Sequence, residues 1–196
     1  MMVTTVAPTG KQWADLPTTF CYNHRSLDDT PMKAIVVLGN SGAGKDYFFQ
    51  NSPYTVNRKF SQFAKDFVDS IYGGNFEEDR HTFEVSPGKT KNDILIALFH
   101  FWQEHDPEAS VRFAKNNWEH QDREVFTDVR TVAEVEYICG RFDEITLVYL
   151  TGGNQKSSDN PQLMGARFSE LNADLLELTS AKAEDVLQYM NVNDLF

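Results

Sequence analysis

The chain has little cysteine and little positive charge. It holds two cysteines in 196 residues, Cys21 and Cys139, far apart and with no metal-type spacing. That excludes a disulfide framework or a zinc module and points to a reducing, cytoplasmic setting with two unpaired thiols. Lys and Arg total 18 against 29 Asp and Glu, a formal net charge of −11. Such a balance argues against bulk attraction to nucleic acid or to an anionic membrane. No apolar run is long enough to span a bilayer, and the first residues lack the charged start and apolar block of a signal peptide. Repeats and low-complexity tracts are also missing. What is present is a 41% hydrophobic, 13% aromatic composition, enough for one substantial packed domain.

Residues 1–32 are polar and interrupted by Pro8, Pro17 and Pro31, and read as an N-terminal extension in which Trp13 and Phe20 predict some docking. From 33 to 196 the pattern becomes α/β. Apolar runs predict strands at 34–38, 54–58, 124–128, 144–150 and 174–178. Helical spacing predicts a helix from the loop to about 50, one capped at 61 and running up to the glycines at 73 and 74, one from about 90 that carries Ile94 to Trp102, and others at 107–120, 131–140 and 181–190. Residues 75–89 and 151–161 read as loops or a small excursion. Strands alternating with helices imply a mainly parallel sheet covered on both faces, with ligands at the carboxyl ends of the strands.

The most specific signal is Ala34 to Asp46, a buried strand, a glycine-rich loop and a helix start. Gly39, Gly44 and Lys45 fit the phosphate-loop pattern G-x-x-x-x-G-K. Glycines let the backbone turn its N–H groups toward phosphate oxygens, and a helix N-terminus adds a favourable dipole. Lys45 brings a full charge to the β- and γ-phosphates. The expected ATP phosphate-binding residues are therefore Gly39, Ser41, Gly42, Ala43, Gly44, Lys45 and Asp46. Asp46 stands where Ser or Thr usually binds Mg²⁺, and its carboxylate can serve the same ion directly or through water. A glycine-rich turn that merely joins strand to helix is the plainer alternative.

The second signal is Asp128, Val129, Arg130 and, one turn on, Glu134. An acid and an arginine at a strand's end suit phosphoryl transfer, because a guanidinium grips phosphate through two parallel hydrogen bonds. The same residues also read as a salt-bridged helix start with Asp128 as its cap.

Together the two motifs resemble the deoxynucleoside monophosphate kinases of tailed bacteriophages. In that family the loop often reads Ser-Gly-Lys-Asp-Thr and the second motif Asp-Val-Arg-Phe-x-Asn-Glu. Asp46, Asp128, Val129, Arg130 and Glu134 match; Tyr47, Thr131, Ala133 and Val68 depart, Val68 from a frequent lysine. Weaker echoes are Phe63-Ala64, Lys91 opening a helix, Trp118 ahead of the second motif and Ser169-Glu170 without the usual preceding histidine. The resemblance implies a three-layer P-loop NTPase fold of nucleoside-monophosphate-kinase type with a small lid. It implies ATP- and Mg²⁺-dependent phosphorylation of a deoxynucleoside 5′-monophosphate in the cytoplasm, a host's cytoplasm if the chain is viral. It assigns Lys45, Asp128 and Arg130 to catalysis, and Lys91, Trp118, Asp128, Arg130, Glu134 and Glu170 to the monophosphate. No nucleic-acid or membrane partner is implied, and a homodimer is left open. A further cation over the transferring group falls to Arg141, Lys156 or Arg167, with no choice among them.

Each assignment has a plainer counterpart. Trp118 serves equally as a packing residue, and Lys91 as a solvated helix start. His100, His105 and His120 match no metal spacing, and Phe99, Phe101 and Trp102 suit a core. Two other functions remain in view: a P-loop kinase for another small acceptor, dephospho-coenzyme A-like, and a nucleotide-binding protein with weak catalysis.

Overall fold

A computed structural model describes residues 4–5, 31–119, 121–153, 161–171 and 175–196. The sequence readings at Trp13, Phe20, Cys21, His120 and Lys156 lie outside these residues. Thr4–Thr5 form β1; the remaining elements of the first unit are β2 (Lys33–Gly39), α1 (Lys45–Gln50) and β3 (Asn57–Arg58). The second unit carries α2 (Gln62–Tyr72), α3 (Phe76–Asp79), β4 (Glu84–Ser86), β5 (Lys89–Thr90), α4 (Lys91–His105) and α5 (Ala109–Asn117). The chain then returns to the first unit with β6 (Arg123–Phe126), α6 (Val132–Cys139), β7 (Glu144–Leu150), α7 (Pro161–Leu171), β8 (Leu176–Ser180) and α8 (Ala183–Val192). The chain divides into two compact units, 1–58 with 120–196, and 59–119.

The first unit is an α/β layer structure. Its sheet runs β1-β8-β7-β2-β6-β3, with β8, β7, β2, β6 and β3 parallel and β1 antiparallel at the edge. β2 is central and buried along nearly its whole length, as a strand covered on both faces must be. Alternation sends Ile35, Val37, Val125, Val148, Leu150 and Leu178 to one face, where Phe48 of α1 and Val186, Leu187 and Met190 of α8 close the core. On the other face Phe126 meets Phe142 edge-on at 5.6 Å, α7 packs on β2, and α6 packs on α7. Gly165 of α7 packs against Tyr149, whose hydroxyl takes the place a Cβ would need. Among the described residues no helix is long and apolar enough to cross a membrane.

The base of the sheet is tied by charge. Glu124 of β6 is fully buried, and its Oε1 accepts from Arg58 at 3.1 Å and Arg141 at 2.8 Å. Two guanidiniums offset the cost of burying one carboxylate only because the hydrogen bonds are made.

The second unit is built around Ala64, Val68, Phe76 and Leu95. Phe63 joins it to Trp102 at 4.7 Å and to Phe113 at 5.2 Å, so these aromatics pack as a core, and Phe99 meets Trp102 edge-on at 6.2 Å.

Several boundaries differ from the sequence reading. β3 keeps only the last two residues of the expected 54–58 strand, and β8 starts two residues later than expected. Residues 75–89 hold a short helix and part of a hairpin. α7 was not foreseen: Pro161 suits the first helical position, but Gly165 and Ser169 blur the apolar period.

Candidate functional site

The glycine-rich loop begins where β2 ends. Its turn needs three left-handed or otherwise glycine-like backbones: Gly39 at φ +156°, Gly42 at +77° and Gly44 at +94°. Ala43 N–H donates to Asn40 O at 3.1 Å and closes the turn. Ser41 and Gly42 are exposed, and nothing lies within 4 Å of where a Gly42 Cβ would be, so the loop's outer face is open. The Lys45 ammonium folds back over this loop and donates to Gly39 O at 2.5 Å and Asn40 O at 3.1 Å. α1 has only six residues, so its dipole is that of a single short helix and the loop's own N–H groups matter more.

The second motif lies beside it. Asp128 and Arg130 follow β6, the parallel neighbour of β2, and an open cleft is lined by Val37, Leu38, Gly39, Lys45, Thr127, Asp128, Val129 and Arg130. Lys45 and Asp128 are half-buried there and Arg130 is exposed. One cleft therefore carries an ammonium, a carboxylate and a guanidinium at the carboxyl ends of adjacent strands, a setting for binding and reacting anionic groups.

Glu134 supports this wall from behind. It is only 4% exposed, and its Oε2 accepts from the backbone N–H of Arg130 at 2.7 Å and of Thr131 at 3.1 Å. Thr131 Oγ1 accepts in return from Glu134 N–H at 3.3 Å. This is a capping box. The cap is Thr131, where the sequence reading offered Asp128, and Glu134 fixes the backbone of Arg130.

The other acceptor-site expectations meet different surroundings. Lys91 is fully buried in the second unit, with its ammonium on Asp69 at 2.9 Å, on Asp79 at 3.0 Å and on the carbonyl of Gly73. Burial alone lowers its pKa, but the hydrogen bonds and charges of the two aspartates outweigh that and leave it raised. The ammonium expected to hold the acceptor phosphate is engaged here with Asp69, Asp79 and the Gly73 carbonyl. Trp118 ends α5, is half-buried, and packs against Phe60 at 4.9 Å. Glu170 is exposed and pairs with Arg167 at 2.9 Å. Of the three candidates for a further cation, Arg141 is committed to Glu124, Arg167 also binds Glu136 at 2.7 Å, and Lys156 lies outside the described residues.

Thr127 escaped the sequence reading. It is 2% exposed, lines the cleft and donates from Oγ1 to Asn57 Oδ1 at 3.0 Å. Its position directly before Asp128 was the only signal available. Burial pushes the Cys139 thiol up to about 11, against a weaker pull from Arg167.

Among the described residues no cluster of three or more His, Cys, Asp and Glu is placed to hold a metal ion. Mg²⁺ that arrives with a triphosphate takes most of its ligands from phosphate and water. One exposed carboxylate beside the loop, Asp46, fits that demand.

No protein-family model matches the chain, and no curated protein matches it significantly.

Proposed function

We propose that the protein is a P-loop phosphotransferase that uses Mg²⁺-ATP to phosphorylate a small phosphorylated acceptor, with deoxynucleoside 5′-monophosphates the first candidates. The observation that carries this reading is the single cleft lined by Lys45, Asp128 and Arg130. The open loop N–H groups and the Lys45 ammonium hold the ATP phosphates, exchanging the Gly39 and Asn40 carbonyls for phosphate oxygens. Asp46 would help hold Mg²⁺, which would supply charge neutralisation on the triphosphate. Arg130 grips the acceptor phosphate, and Glu134 keeps its backbone in place. An acceptor phosphate oxygen attacks the γ-phosphorus, the bond to the β–γ bridging oxygen breaks, and ADP leaves with that electron pair. Asp128 orients Arg130 or the acceptor. Catalysis of this kind is mostly positioning and charge stabilisation, which is what such a cleft supplies.

A second reading, a P-loop kinase for a different small acceptor, gains from one observation. Lys91 and Trp118, which the family resemblance assigns to the monophosphate, are engaged with Asp69, Asp79 and Phe60.

The test is a panel of Mg²⁺-ATP with each deoxynucleoside monophosphate and with dephospho-coenzyme A, read as ADP formed. Turnover with a deoxynucleoside monophosphate that falls by about a hundredfold or more in Lys45→Ala and Arg130→Ala is expected. Turnover with dephospho-coenzyme A alone selects the second reading. ADP formation with neither, despite ATP binding, leaves a nucleotide-binding protein and ends the kinase reading.

A further inference from the structure

The phosphate loop does not stand free behind its open face. Just after β7, Gly153 runs against it. A Cβ on Gly153 would lie 2.6 Å from Ala43 N, 2.7 Å from Ser41 O and 2.9 Å from the Gly42 carbonyl carbon. Its φ of +88° is itself a conformation that side chains resist. A Cβ on Gly152 would lie 2.6 Å from Ala181 O. Thr151 N–H donates to Ser180 O at 2.9 Å, anchoring the strand end that delivers both glycines. The backbone at 153 thus lies against the backbone at 41–43.

We infer that Gly153 is a positioning residue for the phosphate loop, acting through residues 41–43 without touching a ligand. The three nearest atoms that a methyl at 153 would meet are all backbone of residues 41–43, not the far ends of flexible side chains. The structure it meets is the turn closed by the Ala43–Asn40 hydrogen bond. That turn sets where the loop N–H groups point and where Lys45 leaves the chain, so a small displacement there changes how an anion is held. This role is independent of which acceptor the cleft takes, and it rests on the nucleotide reading only for its second readout.

The test compares Gly153→Ala with Gly88→Ala. Gly88 has φ +70° and nothing within 4 Å of a Cβ, so its variant carries the left-handed strain without the close contact. The first readout is amide hydrogen exchange across residues 40–44 of the ligand-free full chain. Gly153→Ala is expected to exchange about tenfold faster or more at Ala43, with Gly88→Ala equal to wild type there. The second readout is Mg²⁺-ATP titration, where Gly153→Ala is expected to raise Kd about tenfold or more and Gly88→Ala to leave it unchanged. Unchanged exchange over 40–44 in Gly153→Ala overturns the inference. Wild-type protein that binds no ATP removes the nucleotide reading and leaves the exchange result to decide this one. If Gly153→Ala does not fold, Gly153→Asn carries the same Cβ on a residue that tolerates the left-handed region. Failure of both to fold while Gly88→Ala folds overturns the positioning role in favour of a purely structural one.

Discussion

Replacing Glu134 by Ala removes a side chain that does its work on backbone. The Thr131 half of the capping box survives, but the N–H groups of Arg130 and Thr131 lose the carboxylate they reach at 2.7 and 3.1 Å. Each hydrogen bond to a charged acceptor contributes about 1.5–3 kcal/mol. Water reaches the exposed Arg130 side of the turn and recovers part of that, so the net cost is about 2–4 kcal/mol. For a chain of 196 residues this lowers Tm by about 4–16 °C. Glu134→Gln keeps an acceptor of the right shape, and a neutral bond is about half as strong, so about half the loss is expected. Urea unfolding followed by circular dichroism gives both values. A cost under about 0.5 kcal/mol for Ala, or a Gln variant as damaged as Ala, refutes the capping account. It would return Glu134 to the role of ligand contact that the family resemblance implies.

Two other variants probe the electrostatics. Glu124→Ala takes the carboxylate from Arg141, whose side chain is 7% exposed, and from Arg58; a loss of about 3–5 kcal/mol in denaturant unfolding is expected, and a loss below about 1 contradicts the buried triad. The hydrogen bonds that Thr90 donates from its N–H and hydroxyl, both at 2.8 Å, hold the Asp93 carboxyl below the usual range. Its contribution is therefore complete above the ordinary Asp pKa of about 4 and is lost as pH falls through the lowered native value. Asp93→Asn should be less stable than wild type at neutral pH, and the gap should shrink on acidification; a gap that widens reverses the sign and sinks the argument.

Features carried by contiguous residues were legible in the sequence. The apolar run from Ala34 to Leu38 followed by glycines placed β2 and its loop, and 144–150 placed β7 to the residue. The cleft itself was legible as two motifs at the ends of two strands. What escaped is non-local. Lys91 looks like a free cation until Asp69 and Asp79, 22 and 12 residues away, close on it. Trp118 looks available until Phe60 covers one face. Glu124 reads as the polar edge of a strand, and only Arg58 and Arg141, brought in from 66 and 17 residues away, make it a buried centre. Gly153 reads as loop chemistry, and its close approach to 41–43 exists only in three dimensions.

The most direct measurement is calorimetric titration of Mg²⁺-ATP into wild type and Lys45→Ala. Saturable binding at one site is expected in wild type, weakened about 10- to 150-fold in the variant, the worth of one charge-assisted hydrogen bond of about 1.5–3 kcal/mol. No saturable heat with wild type, or the same affinity in both proteins, contradicts a phosphate-binding loop closed by the Lys45 ammonium.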